Sequence, residues 1–168
     1  PFCKGSERLV ELLIERGGNV NASSIKGTPL HYAARSGSVE CIRLLLDAGA
    51  DVNARCRQNN WTVLHYAMRH RNARDVIQLL VDAGADVNAT TDEGWTPMHI
   101  LLDHYQRLDD ESGNEAAVTL NVARLLLANG ADVNAVNNDG ATPLFTVYNT
   151  ILSRVLSDSA YGVFEEAQ

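Results

Sequence analysis

Two short words recur along the chain in fixed phase, and this recurrence limits the fold more than any other feature. The first reads TPLHYAA from Thr28, TVLHYAM from Thr62, TPMHILL from Thr96 and TPLFTVY from Thr142, at intervals of 34, 34 and 46 residues. The second, GADVNA, starts at Gly49, Gly84 and Gly130, with a weaker GGNVNA at Gly17, and each copy follows a leucine-rich stretch such as IRLLLDAG. Two words in phase mark an array whose units are single supersecondary elements, each burying its apolar face only against its neighbours.

The chemistry of one unit can be read locally. Thr28 is placed to accept a hydrogen bond from the first free N–H groups of a helix, and Pro29 follows at the first helical position, where its missing N–H costs nothing. Gly37 ends that helix. A second helix carries Val39, Ile42, Leu45 and Leu46 on one face, and Gly49 supplies the left-handed turn after it, as Gly84 and Gly130 do in later units. The Asn-rich stretch ADVNARCRQNNW reads as a turn or hairpin-like connection to the next Thr-capped helix. The unit is therefore helix, turn, helix, finger, and the chain an all-α solenoid of such units.

The third unit is larger. Thr28 to Gly49 spans 21 residues and Thr62 to Gly84 spans 22, but Thr96 to Gly130 spans 34. The excess continues helical periodicity, with Leu101, Tyr105 and Leu108 and then Val118, Val122 and Leu125 at i, i+4, i+7, so both helices are expected to lengthen into an elongated hairpin. The polar break DDESGNE has Gly113 to stop the first arm, Ser112 or Asn114 to cap the second, and Glu115 favourably near its start. About six residues per arm add roughly 9 Å. The next unit keeps an apolar stripe through Leu144, Tyr148, Ile151, Leu152, Val155 and Leu156, so the expectation is mutual packing of two enlarged units. A partner-binding protrusion or a flexible loop between Leu102 and Val118 stays open.

Composition removes several functions. A net charge of −7 argues against nucleic acid, whose affinity comes largely from Lys and Arg displacing counterions. No apolar run approaches the roughly 20 residues that span a bilayer. Cys3, Cys41 and Cys56 are odd in number and lack CxxC spacing, which suggests neither disulfides nor zinc and makes a reducing cytosol the simplest compartment. Cys41 reads as a buried thiol, and Cys56, in a polar finger, as an exposed one. No P-loop, GxGxxG, HExxH or GxSxG pattern occurs, so no enzyme activity and no cofactor are expected. His70 and His104 each follow a repeated His by five residues, about 140° around a helix, which disfavours a shared metal site.

TPLH together with LLLxxGADVNA at a period near 33 resembles the ankyrin repeat family over about residues 7 to 157. On that resemblance the chain is one domain over 1–168. It divides into a partial unit at 1–21, repeats at about 22–54, 55–89 and 90–135, and a partial unit at 136–168. Units cut at both ends point to flanking repeats in a longer protein. Val63 in place of Pro and Phe145 in place of His mark a natural, diverged array.

The resemblance implies that His31, His65 and His99 tie neighbouring finger turns together, with Thr28, Thr62, Thr96 and Thr142 opening the helices. It also implies a noncatalytic, monomeric module that binds a partner protein through its concave finger and first-helix surface. The alternative is a structural spacer or regulatory arm of a larger protein whose activity lies elsewhere. Trp61 and Trp95, each just before a capping Thr, are candidate binding residues, and sealing the next finger is their competing role. Arg55, Arg57, Gln58, Tyr66, Arg69, His70 and Glu93 occupy positions that the family varies to suit partners. Asn53, Asn88 and Asn134 resemble substrates of an asparaginyl hydroxylase in animal cells, and turn formation is their plainer role. The implied location is the cytoplasm, or a host cytosol for a secreted effector.

Overall fold

A computed structural model describes residues 4–70, 74–106 and 114–149. Seven helices follow in order: α1 (Lys4–Glu15), α2 (Pro29–Ser36), α3 (Val39–Asp47), α4 (Val63–Ala67), α5 (Arg74–Asp82), α6 (Pro97–Gln106) and α7 (Asn114–Ala128). Residues 143–149 are also helical. Among the described residues there is no strand, only isolated bridges at Ser24–Gly27 and Arg55–Thr62 where fingers fold back. First helices stack α2 on α4 on α6, and second helices stack α1 on α3 on α5 on α7. The result is a solenoid two helices thick.

The words place the helix ends where local physics demands. Thr28 and Thr62 are extended N-caps, Gly37 closes α2 at φ 72°, and Gly49 turns the chain out of α3 at φ 84°. Leu30 and Leu64 from the TPLH helices join Ile42, Leu45, Ile77, Leu80, Val122 and Leu126 from the second helices in one continuous core. Full burial of each such side chain contributes roughly 1.5–3 kcal/mol, so the core couples the units that run from α1 to α7.

Helix α7 runs 15 residues against nine in α3 and α5, and α6 runs ten against eight in α2. Six extra residues lengthen α7 by about 9 Å. The expected apex, with Leu108, Ser112 and Gly113, lies outside the described residues, as does the stripe from Ile151 to Leu156, whereas Leu144 and Tyr148, where that stripe begins, are exposed rather than packed among the described residues.

Two polar ladders run beside the core. The Asn of each of the first three of these words, Asn21, Asn53 and Asn88, reaches the next unit with both ends of its carboxamide. Asn53 Nδ2 donates to the Gly84 carbonyl at 3.0 Å while its Oδ1 accepts the Asp86 N–H at 2.8 Å. Asn21 does the same to Gly49 and Asp51, and Asn88 to Gly130 and Asp132. The plain reading of these asparagines as local turn formers therefore misses a cross-link between units. Asn53→Ala leaves a carbonyl and an N–H without their partners and is expected to cost about 1–2 kcal/mol, measured by urea denaturation. Asn53→Asp keeps the acceptor but loses the donor and should fall between Ala and wild type.

Candidate functional site

The second ladder is histidine, and it sets the base of the candidate surface. His65 Nε2 faces the Trp95 carbonyl at 3.1 Å, and a carbonyl can only accept, so Nε2 carries the ring proton. Nδ1 then accepts, with the Thr62 N–H at 3.1 Å and the Thr62 hydroxyl at 2.8 Å. His31 repeats this toward Trp61 and His99 toward Ala141. Each imidazole thus joins its own helix cap to the base of the next finger. Thr28 and Thr62 cap their helices as expected, in a capping box: the Thr side chain takes the backbone N–H of the third helical residue while the His ring takes the cap's own N–H and also meets the Thr hydroxyl. Where Phe145 replaces His, the Thr142 hydroxyl still accepts the Phe145 N–H at 3.3 Å, without the returning ring. Burial lowers the pKa of all three histidines, that of His65 to about 4.

These bonds hold the backbone of Trp61 and Trp95 and leave the indoles to define the surface. Both rings are half-buried, resting on the core at one edge and lining an open cleft of about 340 Å³ at the other. Asn59 and Glu93 from the fingers and Arg69, Ile100, Asp103 and His104 from the first-helix segments complete the cleft. Each indole thus packs against the core and also lines the cleft. Arg69 lies over the Trp61 ring with its guanidinium carbon 5.8 Å from the centroid, and Tyr66 meets the same indole edge-on at 5.5 Å.

The cleft therefore gathers Trp61, Trp95, Arg69 and Glu93 from the residues singled out in the sequence. Others of that set lie apart from its lining. Tyr66 turns inward, its hydroxyl donating to the Lys26 carbonyl at 3.3 Å and its ring edge-on to His31. Burial and the adjacent Cys56 thiol push that hydroxyl up to about 12. Arg55 is exposed yet bridges two fingers, donating to the carbonyls of Asn60 at 3.1 Å and Thr90 at 2.8 Å. His70 lies at the helix–helix turn, where a Cβ on Gly37 would approach its ring to 2.5 Å. Arg57 and Gln58 are exposed at the finger tip. Cys56 is only 2% exposed, contrary to expectation, because its thiol folds under Tyr66 and donates to Asn59 Oδ1 at 2.7 Å.

Sequence reasoning passed over Asn59, Ile100 and Asp103, and weighed His104 only for a metal site. Register could have found Asp103, which follows His99 by four residues as Arg69 follows His65. A larger groove of about 850 Å³ lies between α1 and α2, lined by Val10, Leu13, Ile14, Tyr32 and Leu45. It is mostly apolar, with Asn19, Arg35 and Ser36 as the polar residues of its lining.

Family models described as ankyrin repeats match residues 13–67 and 56–101, and a single ankyrin repeat matches 93–138. The chain belongs to the ankyrin repeat family. Ankyrin repeats generally mediate protein–protein interaction and are generally noncatalytic. The chain is 33% identical over 102 residues to the nuclear factor NF-kappa-B p105 subunit of Gallus gallus, which covers 58% of this chain and 10% of that protein. It is 38% identical over 63 residues to the BRCA1-associated RING domain protein 1 of Caenorhabditis elegans, 38% of this chain and 9% of that protein. With the E3 ubiquitin-protein ligase KEG of Arabidopsis thaliana the identity is 36% over 98 residues, 57% of this chain and 6% of the ligase. The ankyrin array thus spans about a tenth or less of these relatives. Among its described residues no helix is long and apolar enough to cross a membrane.

Proposed function

We propose that this ankyrin array is a noncatalytic recognition module that holds a segment of a partner protein against the Trp61–Trp95 cleft. The observation that carries the reading is convergence. Two half-buried indoles from successive fingers, with charged residues of both signs at the rim, open on one cleft whose backbone is fixed by His31 and His65. Aromatic anchors in partly desolvated sites, ringed by polar groups, supply most binding energy in protein interfaces. Rigid placement also lowers the entropy lost on binding. The described cysteines, Cys41 and Cys56, are both free and buried, which supports a reducing compartment.

The test is Trp61→Ala with Trp95→Ala, assayed against a partner recovered on the intact chain. Each backbone carbonyl that receives a histidine survives the change, so the repeat stack should persist. Affinity is expected to fall at least about 30-fold, the effect of losing roughly 2 kcal/mol. Unchanged affinity in a folded double variant would remove the cleft from the interface. A second reading, an arm within a longer protein whose activity lies elsewhere, draws on the small share of each relative that this chain covers. It is compatible with the same cleft.

A further inference from the structure

Charge is segregated along the face that carries the fingers and first helices. Residues 22–37 and 55–70, which form those elements in two successive units, contain Lys26, Arg35, Arg55, Arg57 and Arg69 and no Asp or Glu. Residues 89–106, the same stretch of the next unit, contain Asp92, Glu93 and Asp103 and no Lys or Arg. A chain of net charge −7 thus keeps an acid-free stretch beside the Trp61 indole. Two of its arginines are held in the same way, each following a repeated His by four residues. Arg35 lies over the Tyr32 ring at 5.6 Å and Arg69 over the Trp61 ring at 5.8 Å, both within cation–π range. Tyr66 joins the two pairs, lining one small hollow with Lys26, Tyr32 and Arg35 and meeting Trp61 edge-on at 5.5 Å. Both arginines are exposed, and among the described residues neither guanidinium meets a carboxylate. A ring beneath a guanidinium fixes its place and leaves its N–H fork free to donate in plane.

We propose that the segment held by this surface is acidic, and that two of its carboxylates, three residues apart in an extended chain, are received by Arg35 and Arg69. The inference rests on the reading of the finger and first-helix surface as the partner-binding face and names the chemistry that face selects. Helices packed as α2 is on α4 have axes roughly 8–10 Å apart, and three residues of extended chain cover about 10 Å. One carboxylate per guanidinium follows, because each arginine stands on its own ring, whereas a phosphate would need several donors converging on one point. Lys26 and Arg57, exposed on neighbouring fingers, add to the local positive field. The acidic stretch at 89–106 repels the same carboxylates and so sets which end of the segment carries them.

The probe is the blocked peptide Gly-Glu-Gly-Gly-Glu-Gly, with its Gln counterpart as the neutral control, titrated against the whole chain while the Arg35 and Arg69 Nε–H resonances are followed by NMR. The Glu peptide is expected to shift both resonances saturably and to bind at least about tenfold more tightly than the Gln peptide. Gly-Gly-Glu-Glu-Gly-Gly, with its carboxylates side by side, should bind about threefold more weakly than the spaced peptide. Arg35→Gln and Arg69→Gln, both at exposed positions, should each weaken the spaced peptide about fivefold, and added salt should weaken it in the wild type. Equal binding of the Glu and Gln peptides would overturn the assignment, as would an undiminished Glu response in the double variant. Equal binding of the two Glu peptides would overturn the spacing. Inorganic phosphate binding both guanidiniums more tightly than the spaced peptide would overturn the carboxylate assignment. A recovered partner that loses affinity on Trp61→Ala with Trp95→Ala, yet binds Arg35→Gln with Arg69→Gln as well as wild type, would keep the cleft and remove the acidic segment.

Discussion

His65→Ala is expected to destabilise the chain by about 3 kcal/mol, more than any single change on its binding surface. The ring is fully buried and closes three polar contacts, to the Thr62 N–H, the Thr62 hydroxyl and the Trp95 carbonyl. Truncation leaves two backbone groups without partners in the interior, each costing roughly 1–3 kcal/mol, and opens a cavity beside Leu64 and Ala67. Urea denaturation gives the value. His65→Gln keeps polarity but cannot reach both groups with the same planar geometry, so it should recover only part of the loss. His31 and His99 make the equivalent contacts. If units are coupled through these rings, losing the central one should broaden the unfolding transition as well as shift it.

Acidification should weaken the fold through the same residues. Burial lowers the folded-state pKa of His65 from 6.5 to about 4, and a proton on Nδ1 would face the Thr62 N–H that it now accepts. The folded value lies below the unfolded one, so the unfolded chain binds protons first as pH falls. The stability from the neutral ring is therefore complete above pH 6.5 and is lost progressively between 6.5 and about 4. For His65 the loss is on the order of 3 kcal/mol across that window. His31 and His99 act in the same direction because burial lowers theirs too. Urea midpoints measured at pH 7.5, 6, 5 and 4 should fall steadily. A midpoint that does not change between pH 7 and 5 would show that the rings are not held neutral.

The repeated words made the architecture readable before any coordinates. Thr, Pro and Gly act on their own backbone, and their positions alone predict where helices α2 and α3 start and stop. The six-residue growth of α7 was likewise written in apolar spacing. Contacts between units were harder to read, because they depend on how one repeat is rotated on the next. Asn53 looks like a turn former in isolation, and only stacking brings its carboxamide to the Gly84 carbonyl and Asp86 N–H. Cys56 sits among polar finger residues and Tyr66 on the short helix α4, yet the two side chains meet, the Tyr66 hydroxyl 3.8 Å from the Cys56 thiol. The cleft was half legible. Trp61 and Trp95 stand out as rare aromatics at a repeat-related position, whereas Asp103 gains meaning only beside Trp95 and in register with Arg69.

Amide hydrogen exchange of the chain, free and bound to a recovered partner, tests the central claim most directly. Binding at the cleft predicts slowed exchange in residues 59–70 and 93–104, with α1 and the start of α7 unchanged. Protection confined to the α1–α2 groove, or to the residues joining α6 and α7, would contradict it.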